Sequence, residues 1–180
     1  NFPQITEKAA VFEDFNRNQN KKYLLNITEA GLYEVESTGR LNMQCAIRTR
    51  IITDLFKVSS NGIGRNFYNQ RYLKKGDYMV TAGVSGNSEG RTGIHFKKQN
   101  FHNGGNLGFD RPYKIPVKSG EGVYYTITID TEGLYTISTI GMNKVFPYRI
   151  EDEEGWPIIK PSSGDCRIHL KKGIYRYITL

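Results

Sequence analysis

The side chains best suited to chemistry are scattered along this sequence and form no recognisable catalytic motif. The histidines His95, His102 and His169 stand in a predicted strand, a predicted linker and the last predicted hairpin. Cys45 and Cys166 form no Cys-x-x-Cys pair and no disulfide framework, so we expect two free, buried thiols. A Gly-x-Ser-x-Gly nucleophile motif is also lacking. We therefore expect no catalytic residue, no cofactor and no enzymatic activity.

One compact acidic run, from Glu151 to Glu154, is rich in the oxygen ligands that a hard cation such as calcium prefers. The run lacks the spaced ligand pattern of a calcium-binding loop. A solvent-facing hairpin tip is the favoured explanation. We expect no metal site in this protein, with a cation at residues 151–154 as the alternative.

The best candidate for ligand binding is a basic and aromatic group in the first half of the sequence. Residues 1–100 carry 15 Lys+Arg and 9 Asp+Glu, which accounts for +6 of the formal net charge of +7. The predicted ligand-binding residues are Arg48, Arg50, Arg65, Phe67, Tyr68, Arg71 and Tyr72, with Lys74 and Lys75 beside them. Alternate strand residues share a face, so this surface would suit sugar rings, bases or anionic groups. An ordinary solvent-facing sheet surface is the alternative.

Two short motifs occur twice, in the same order. YLLNITEAGLY at 23–33 matches YTITIDTEGLY at 125–135, and LKKGDY at 73–78 matches LKKGIY at 170–175. Apolar and polar residues alternate on both sides of each glycine, which is the period of a half-buried strand. We predict an internal repeat in which each glycine turn closes a β-hairpin, for example between 125–129 and 134–138.

Strand-like segments recur about every 8 to 12 residues between turn sequences, which is typical of a β-sandwich. We predict an all-β fold with two tandem jelly-roll-like antiparallel β-sandwich domains. The first would span 1–98, a linker or lead-in segment 99–115, and a second, shorter domain 116–180. Ile5 to Phe15 is the best helix candidate, with an extended segment as the alternative. We expect no membrane span and no signal peptide.

The order of these motifs resembles the bacterial pre-peptidase C-terminal (PPC) domain. That family carries Gly-x-Tyr strand starts and a late Leu-x-x-Gly-x-Tyr motif. The matching pairs here are Gly31 and Tyr33, Gly76 and Tyr78, Gly133 and Tyr135, and Gly173 and Tyr175. Arg149 to Gly155 resembles the family's central hairpin, whereas Asn16 to Asn20 lacks the acidic cluster that holds calcium in collagen-binding relatives. The resemblance implies two tandem PPC-like β-sandwiches from a secreted or cell-surface, virulence-associated bacterial protein.

Three functions remain open at this point. The first is a non-catalytic accessory or binding module of a larger bacterial protein, which binds a protein or a glycan or positions a neighbouring domain. The second is a basic module that binds nucleic acid or another anionic polymer, whose affinity would fall steeply with salt. The third is an enzyme with a site between the two domains, near His102, Asp110 and Arg111.

Overall fold

The fold is known from a computed structural model that describes residues 2–115, 122–140 and 147–179. The chain divides into two compact units, Asn1–Gln99 and Asn100–Leu180. All regular elements in the described residues are β-strands, which confirms the predicted all-β, β-sandwich fold class. No helix of the described chain has the length and apolar character to cross a membrane. Residues 116–121, at the start of the predicted second domain, lie outside the described residues.

The first unit is a sandwich of two sheets. Its strands are β1 (Gln4–Ile5), β2 (Val11–Phe15), β3 (Asn20–Ile27), β4 (Gly31–Thr38), β5 (Met43–Arg48), β6 (Phe56–Ser59), β7 (Tyr68–Leu73), β8 (Gly76–Val84) and β9 (Gly90–Lys98). One sheet has the order β1-β3-β8-β5-β6 and the other β2-β9-β4-β7. All pairs are antiparallel except β1 with β3. The segment that was the best helix candidate holds β1 and β2, so its extended alternative is correct.

Strict alternation of apolar residues builds the core of the first unit. On β3, Tyr23, Leu25 and Ile27 are buried while the residues between them are exposed. A pleated strand sends alternate side chains to opposite faces, so this pattern turns one face of the sheet inward. Val35 from the other sheet joins the same cluster, and Phe67 is fully buried in it.

The second unit repeats the first sheet of the first unit and, among its described residues, has a smaller second sheet. Its strands are β10 (His102–Leu107), β11 (Val123–Ile129), β12 (Gly133–Ile137), β13 (Tyr148–Glu151), β14 (Pro157–Ser162), β15 (Cys166–Leu170) and β16 (Gly173–Thr179). The larger sheet has the order β10-β11-β16-β13-β14, and the described strands β12 and β15 form the other. Strand β10 lies within the predicted linker and pairs with β11 in parallel.

The repeated sequence motifs occupy equivalent positions in the two units. Ile27 pairs with Gly76 across β3 and β8, and Ile129 pairs with Gly173 across β11 and β16. Gly31 opposite Leu73 likewise corresponds to Gly133 opposite Leu170. Each pair in the second unit follows from the first by the offsets of the two sequence motifs, 102 and 97 residues. The same two offsets relate both residue pairs, so the strand register is the same in the two units.

The predicted glycine hairpins are wrong, because each glycine turn carries the chain from one sheet to the other. Strand β11 pairs with β16 and β12 pairs with β15, so β11 and β12 lie in different sheets. The same holds for β15 and β16, for β3 and β4, and for β7 and β8. Alternation identifies a strand and glycine identifies a turn, but neither shows whether the next strand pairs locally or crosses the sandwich.

A tyrosine secures each of these four crossings. In every case the tyrosine two residues after the glycine donates its hydroxyl proton to the backbone carbonyl four residues before itself. The pairs are Tyr33 to Glu29 at 2.8 Å, Tyr78 to Lys74 at 2.9 Å, Tyr135 to Thr131 at 2.5 Å and Tyr175 to Lys171 at 3.0 Å. This arrangement resembles the tyrosine corner of immunoglobulin-type sandwiches and gives Gly-x-Tyr a structural role at each crossing.

Candidate binding surface

The structure does not bring the predicted ligand-binding residues together. Arg48 lies on the outer face of the five-stranded sheet, at the end of β5, whereas Tyr68 and Tyr72 lie on β7 in the opposite sheet. Arg50 and Arg65 are exposed in loops. The sequence places these residues near one another along the chain, but the sandwich separates them onto different faces.

Two further members of the predicted group have other surroundings. Phe67 is 0% exposed and packs in the core, where it cannot contact a ligand. Arg71 lies at the edge strand β7 with its guanidinium 5.8 Å from the centre of the Phe56 ring. Tyr68 donates a hydrogen bond to Glu34 at 3.2 Å, so an acidic side chain adjoins its ring on that sheet face. A basic and aromatic platform built from all seven residues is therefore not formed.

A shallow concavity of about 390 Å³ lies instead on the outer face of the five-stranded sheet. We call it the basic face; its side chains are Asn20, Lys22, Gln44, Ala46, Arg48, Thr53, Lys57 and Thr81. These residues come mainly from β3, β8, β5 and β6, which are adjacent in the sheet. Only Arg48 belongs to the group predicted from sequence.

Register explains the shape of the basic face. Lys22 lies opposite Thr81, Thr81 opposite Ala46, and Ala46 opposite Lys57. One row across four strands thus has long cationic side chains at both ends and small side chains between them. Strands lie about 4.8 Å apart, so the Lys22 and Lys57 backbones are separated by about 14 Å.

The neighbouring row contains a glycine between two amide side chains. Gln44 Nε2 donates to Asn20 Oδ1 at 3.4 Å, and the strand between them contributes Gly83. A Cβ at Gly83 would come within 1.9 Å of Asn20 Oδ1. The two amide side chains therefore meet above a backbone position that has no side chain.

The charge of the basic face is uncompensated. Lys22, Arg48 and Lys57 form no ion pair with any residue in the described part of the chain. None of the lining residues is acidic and none is aromatic. Arg48 Nε donates only to the Thr49 carbonyl, at 3.4 Å. An anionic ligand would find three cations and several amide and hydroxyl groups here.

Within the described residues, the histidines His95 and His169 contact different partners and the two cysteines form no disulfide. His95 Nε2 is 3.1 Å from Thr38 Oγ1, and His169 is 3.8 Å from Glu132. Cys45 is buried, and burial raises the pKa of its thiol to about 12, which keeps it protonated and unreactive. Cys166 is half-buried rather than buried as expected. Both thiols are free.

The acidic run divides between a strand and a turn. Glu151 ends β13 and is buried, whereas Asp152 begins the turn to β14 and accepts a hydrogen bond from the Trp156 amide at 2.8 Å. Burial raises the pKa of Glu151 to about 8; Arg176 opposes the shift and Asp152 adds to it. Across residues 2–115, 122–140 and 147–179, no three His, Cys, Asp or Glu side chains are grouped to hold a metal ion.

Comparison with solved structures includes two distant similarities. No protein-family profile and no curated protein sequence matches the chain. The pre-peptidase C-terminal domain of a collagenase from Bacillus anthracis is similar over 54% of this chain and 95% of its own, with a TM-score of 0.45 and 13% identity. Dimeric latent PorU from Porphyromonas gingivalis is similar over 99% of this chain but 22% of its own, with a TM-score of 0.26 and 10% identity. At these values the similarities carry no functional argument.

Proposed function

We propose that this protein is a non-catalytic binding module of a larger secreted or cell-surface bacterial protein, and that its first unit binds an acidic glycan on the basic face. The proposal rests on the row of residues across β3, β8, β5 and β6, in which Lys22 and Lys57 flank Thr81 and Ala46. Arg48 lies two residues beyond Ala46 on β5. No residue of catalytic type takes part.

The spacing of the cations favours an extended ligand. Lys22 and Lys57 stand about 14 Å apart across the sheet, too far for one small anion to contact both. A polymer with repeated negative charges can reach all three cations at once. Each contact is solvent-exposed and therefore weak on its own, so affinity would come from several contacts together.

The polar groups favour a glycan over nucleic acid. Proteins that bind single-stranded nucleic acid stack bases on aromatic side chains, and the described lining of the basic face includes none. Asn20, Gln44 and Thr81 instead offer amide and hydroxyl groups that can hydrogen-bond to sugar hydroxyls. Nucleic acid is the competing ligand that the experiment below must exclude.

Equivalent strand registers support the proposal that both units are tandem copies of one PPC-like domain. The tyrosine crossings at Tyr33 and Tyr135 support it further. We propose that each copy folds around its own core, the first close to 1–98 and the second extended beyond 116–180 to include β10 from the predicted lead-in segment 99–115.

The test is binding to a panel of acidic and neutral polysaccharides and single-stranded DNA, at about 50 mM and about 200 mM salt. We expect binding to an acidic polysaccharide that weakens with salt, and little binding to neutral ones. The triple variant Lys22→Gln, Arg48→Gln, Lys57→Gln should lose this binding.

A charge-matched control variant tests whether the loss of binding is specific to the basic face. Lys8→Gln, Lys75→Gln, Lys97→Gln removes the same charge from exposed positions elsewhere in the first unit and should bind as the natural chain does. If the two triple variants lost binding equally, net charge and not the basic face would account for the binding. Preferential binding of single-stranded DNA, or no binding at low salt, would refute the glycan proposal.

A further inference from the structure

Two isoleucines in one loop of the first unit are exposed, although another apolar residue of the same loop is packed. The loop spans residues 49–55 and joins β5 to β6; we call it the isoleucine loop. Ile51 is 90% exposed and Ile52 51%, whereas Leu55, at the end of the loop, packs against the core of the unit. Packing of the core therefore does not account for apolar side chains at positions 51 and 52.

Hydrogen bonds to Thr49 hold both isoleucines in a defined turn. The Thr49 amide donates to the Ile52 carbonyl at 2.9 Å. The Thr49 hydroxyl oxygen accepts from the amide of Ile51 at 3.2 Å and from the amide of Ile52 at 2.8 Å. Thr49 itself directly follows β5, which is paired with a strand on each side. The turn is thus anchored to the sheet, and its apolar side chains project from it into solvent.

Cationic side chains flank the isoleucine loop. Four of them lie within the loop, on the strands that enter and leave it, or beside its base: Arg48, Arg50, Lys57 and Arg71. The Arg71 guanidinium is placed there by its position 5.8 Å from the ring centre of Phe56, which directly follows the loop. None of the four forms an ion pair with a residue in the parts of the chain that the structure describes. Asp54 is the single acidic residue between Arg48 and Lys57 in the sequence.

An apolar tip with cations at its base matches the layered chemistry of an anionic lipid bilayer. The surface of such a bilayer is negatively charged and attracts Lys and Arg, and the acyl region beneath it accepts apolar side chains. A protein partner would need a preformed pocket for two projecting isoleucines, whereas a bilayer accepts them without one. Charge and shape therefore both favour a lipid surface.

The opposite end of β5 provides a comparison within the same unit. Ile63 is 92% exposed and lies in the loop between β6 and β7. The Ser60 amide donates to the carbonyl of Met43, the first residue of β5, whereas the isoleucine loop follows Arg48, its last residue. Ile63 has a glycine on either side in the sequence. It thus matches Ile51 in residue type and exposure but lies at the other end of the strand.

We propose that the isoleucine loop docks the protein on the surface of an anionic lipid bilayer, with Ile51 and Ile52 in the outer acyl region and the four cations at headgroup level. This docking goes beyond the proposed glycan binding and requires no glycan. Arg48 and Lys57 belong to both surfaces, so the isoleucines, which are not part of the basic face, distinguish the two functions. Two inserted side chains bury little apolar area, so the docking is peripheral and reversible.

The test is sedimentation of the full chain with vesicles of phosphatidylcholine, with and without about one third phosphatidylglycerol, at about 50 mM and about 200 mM salt. We expect binding to the vesicles that contain phosphatidylglycerol, weaker at the higher salt, and little binding to phosphatidylcholine alone. The double variant Ile51→Ser, Ile52→Ser should bind about tenfold more weakly or worse. Its binding to acidic polysaccharide should be unchanged, which separates this inference from the proposed function.

Two matched variants control for exposure and for apolar character. Ile63→Ser removes an equally exposed isoleucine from the other end of β5 and should bind vesicles as the natural chain does. Ile51→Leu with Ile52→Leu keeps the tip apolar and should also bind. The substituted side chains lie outside the core, so urea unfolding should give the same midpoint for every variant.

Tryptophan fluorescence measures whether the loop enters the lipid. Ile51→Trp in a Trp156→Phe background places the single tryptophan of the chain in the isoleucine loop. Its emission should shift to shorter wavelength on vesicles with phosphatidylglycerol and should be quenched by lipids brominated on their acyl chains. Ile63→Trp in the same background should show neither effect.

Three results would overturn the proposal. The first is no binding to vesicles with phosphatidylglycerol, and the second is equal binding by the natural chain and the Ile51→Ser, Ile52→Ser variant, which would leave charge as the only attraction. The third is loss of polysaccharide binding in that variant, because it would make the loop part of the glycan site. Equal quenching of tryptophan at positions 51 and 63 would equally contradict insertion of the isoleucine loop.

Discussion

The Tyr33 ring stacks on the Phe96 ring at a centroid distance of 5.1 Å and an interplanar angle of 6°. In the second unit the equivalent Tyr135 meets Phe109 at 5.5 Å and 39°, from a loop rather than a strand. Phe96 is 6% exposed and Phe109 is 50% exposed. The repeated tyrosine therefore has a buried partner in one unit and a half-exposed partner in the other.

This difference predicts unequal effects of truncating the two partners. Phe96→Ala should destabilise the first unit by about 3–5 kcal/mol, because it leaves a cavity beside Tyr33. Phe109→Ala should cost about 1 kcal/mol, since half of that ring already contacts solvent. Urea unfolding measures both, with amide hydrogen exchange assigning each loss to its unit. Equal losses would contradict the difference in burial between Phe96 and Phe109 as the cause.

The tyrosine crossings predict a graded loss of stability between equivalent sites. Tyr78→Phe removes a hydrogen bond from a partly buried hydroxyl and should cost about 1 kcal/mol. Tyr175→Phe removes the equivalent bond at an exposed site and should cost less. Hydrogen exchange of β8 and β16 amides reports the two units separately. A larger loss at Tyr175 would contradict burial as the cause.

The contact between position 83 and the Asn20 side chain predicts that Gly83→Ala and Asn20→Ala are energetically coupled. Gly83→Ala places a methyl group against Asn20 Oδ1 and should lower stability by about 1 kcal/mol. With Asn20→Ala already present, the same change should be neutral or stabilising, because alanine restricts the unfolded chain more than glycine does. A double-mutant cycle from urea unfolding measures the coupling. Additive effects would mean that the two side chains do not interfere.

Glu151 predicts that the stability of the second unit falls as pH rises. Its pKa is about 8 in the folded chain, because burial disfavours the charged form, against an ordinary value of 4.5. Between these values the folded state holds a proton that the unfolded state has released. The stability that the protonated Glu151 provides is thus complete below pH 4.5, declines from there to about pH 8 and is absent above it.

The Glu151→Gln variant isolates this effect, because its side chain at position 151 has no carboxyl group to titrate. The variant should be more stable than the natural chain at pH 9 and should not be at pH 4. Fluorescence of Trp156, the single tryptophan and a residue of the second unit, follows unfolding at each pH. Parallel pH profiles for the two proteins would show that Glu151 does not titrate between the two states.

The sequence alone determines many of the strands, though not β10 in the predicted linker, and the equivalence of the two units. Alternation in 125–129 and in 23–27 reflects which side chains face inward, a local consequence of the pleat. Gly-x-Tyr at Gly31 and Gly133 marks the turns, because the tyrosine bonds to a carbonyl only four residues away. Such short-range relationships leave a readable sequence pattern.

Tertiary structure alone decided which strands became neighbours, and with that the candidate sites. Lys22, Arg48 and Lys57 share a face only because β3, β5 and β6 belong to one sheet, and β8 lies between β3 and β5. Phe67 is an aromatic residue of the kind that contacts ligands, but here it is buried in the core of the sandwich. Strand pairing joins residues that are dozens of positions apart, and no local pattern encodes the choice between a hairpin and a crossing.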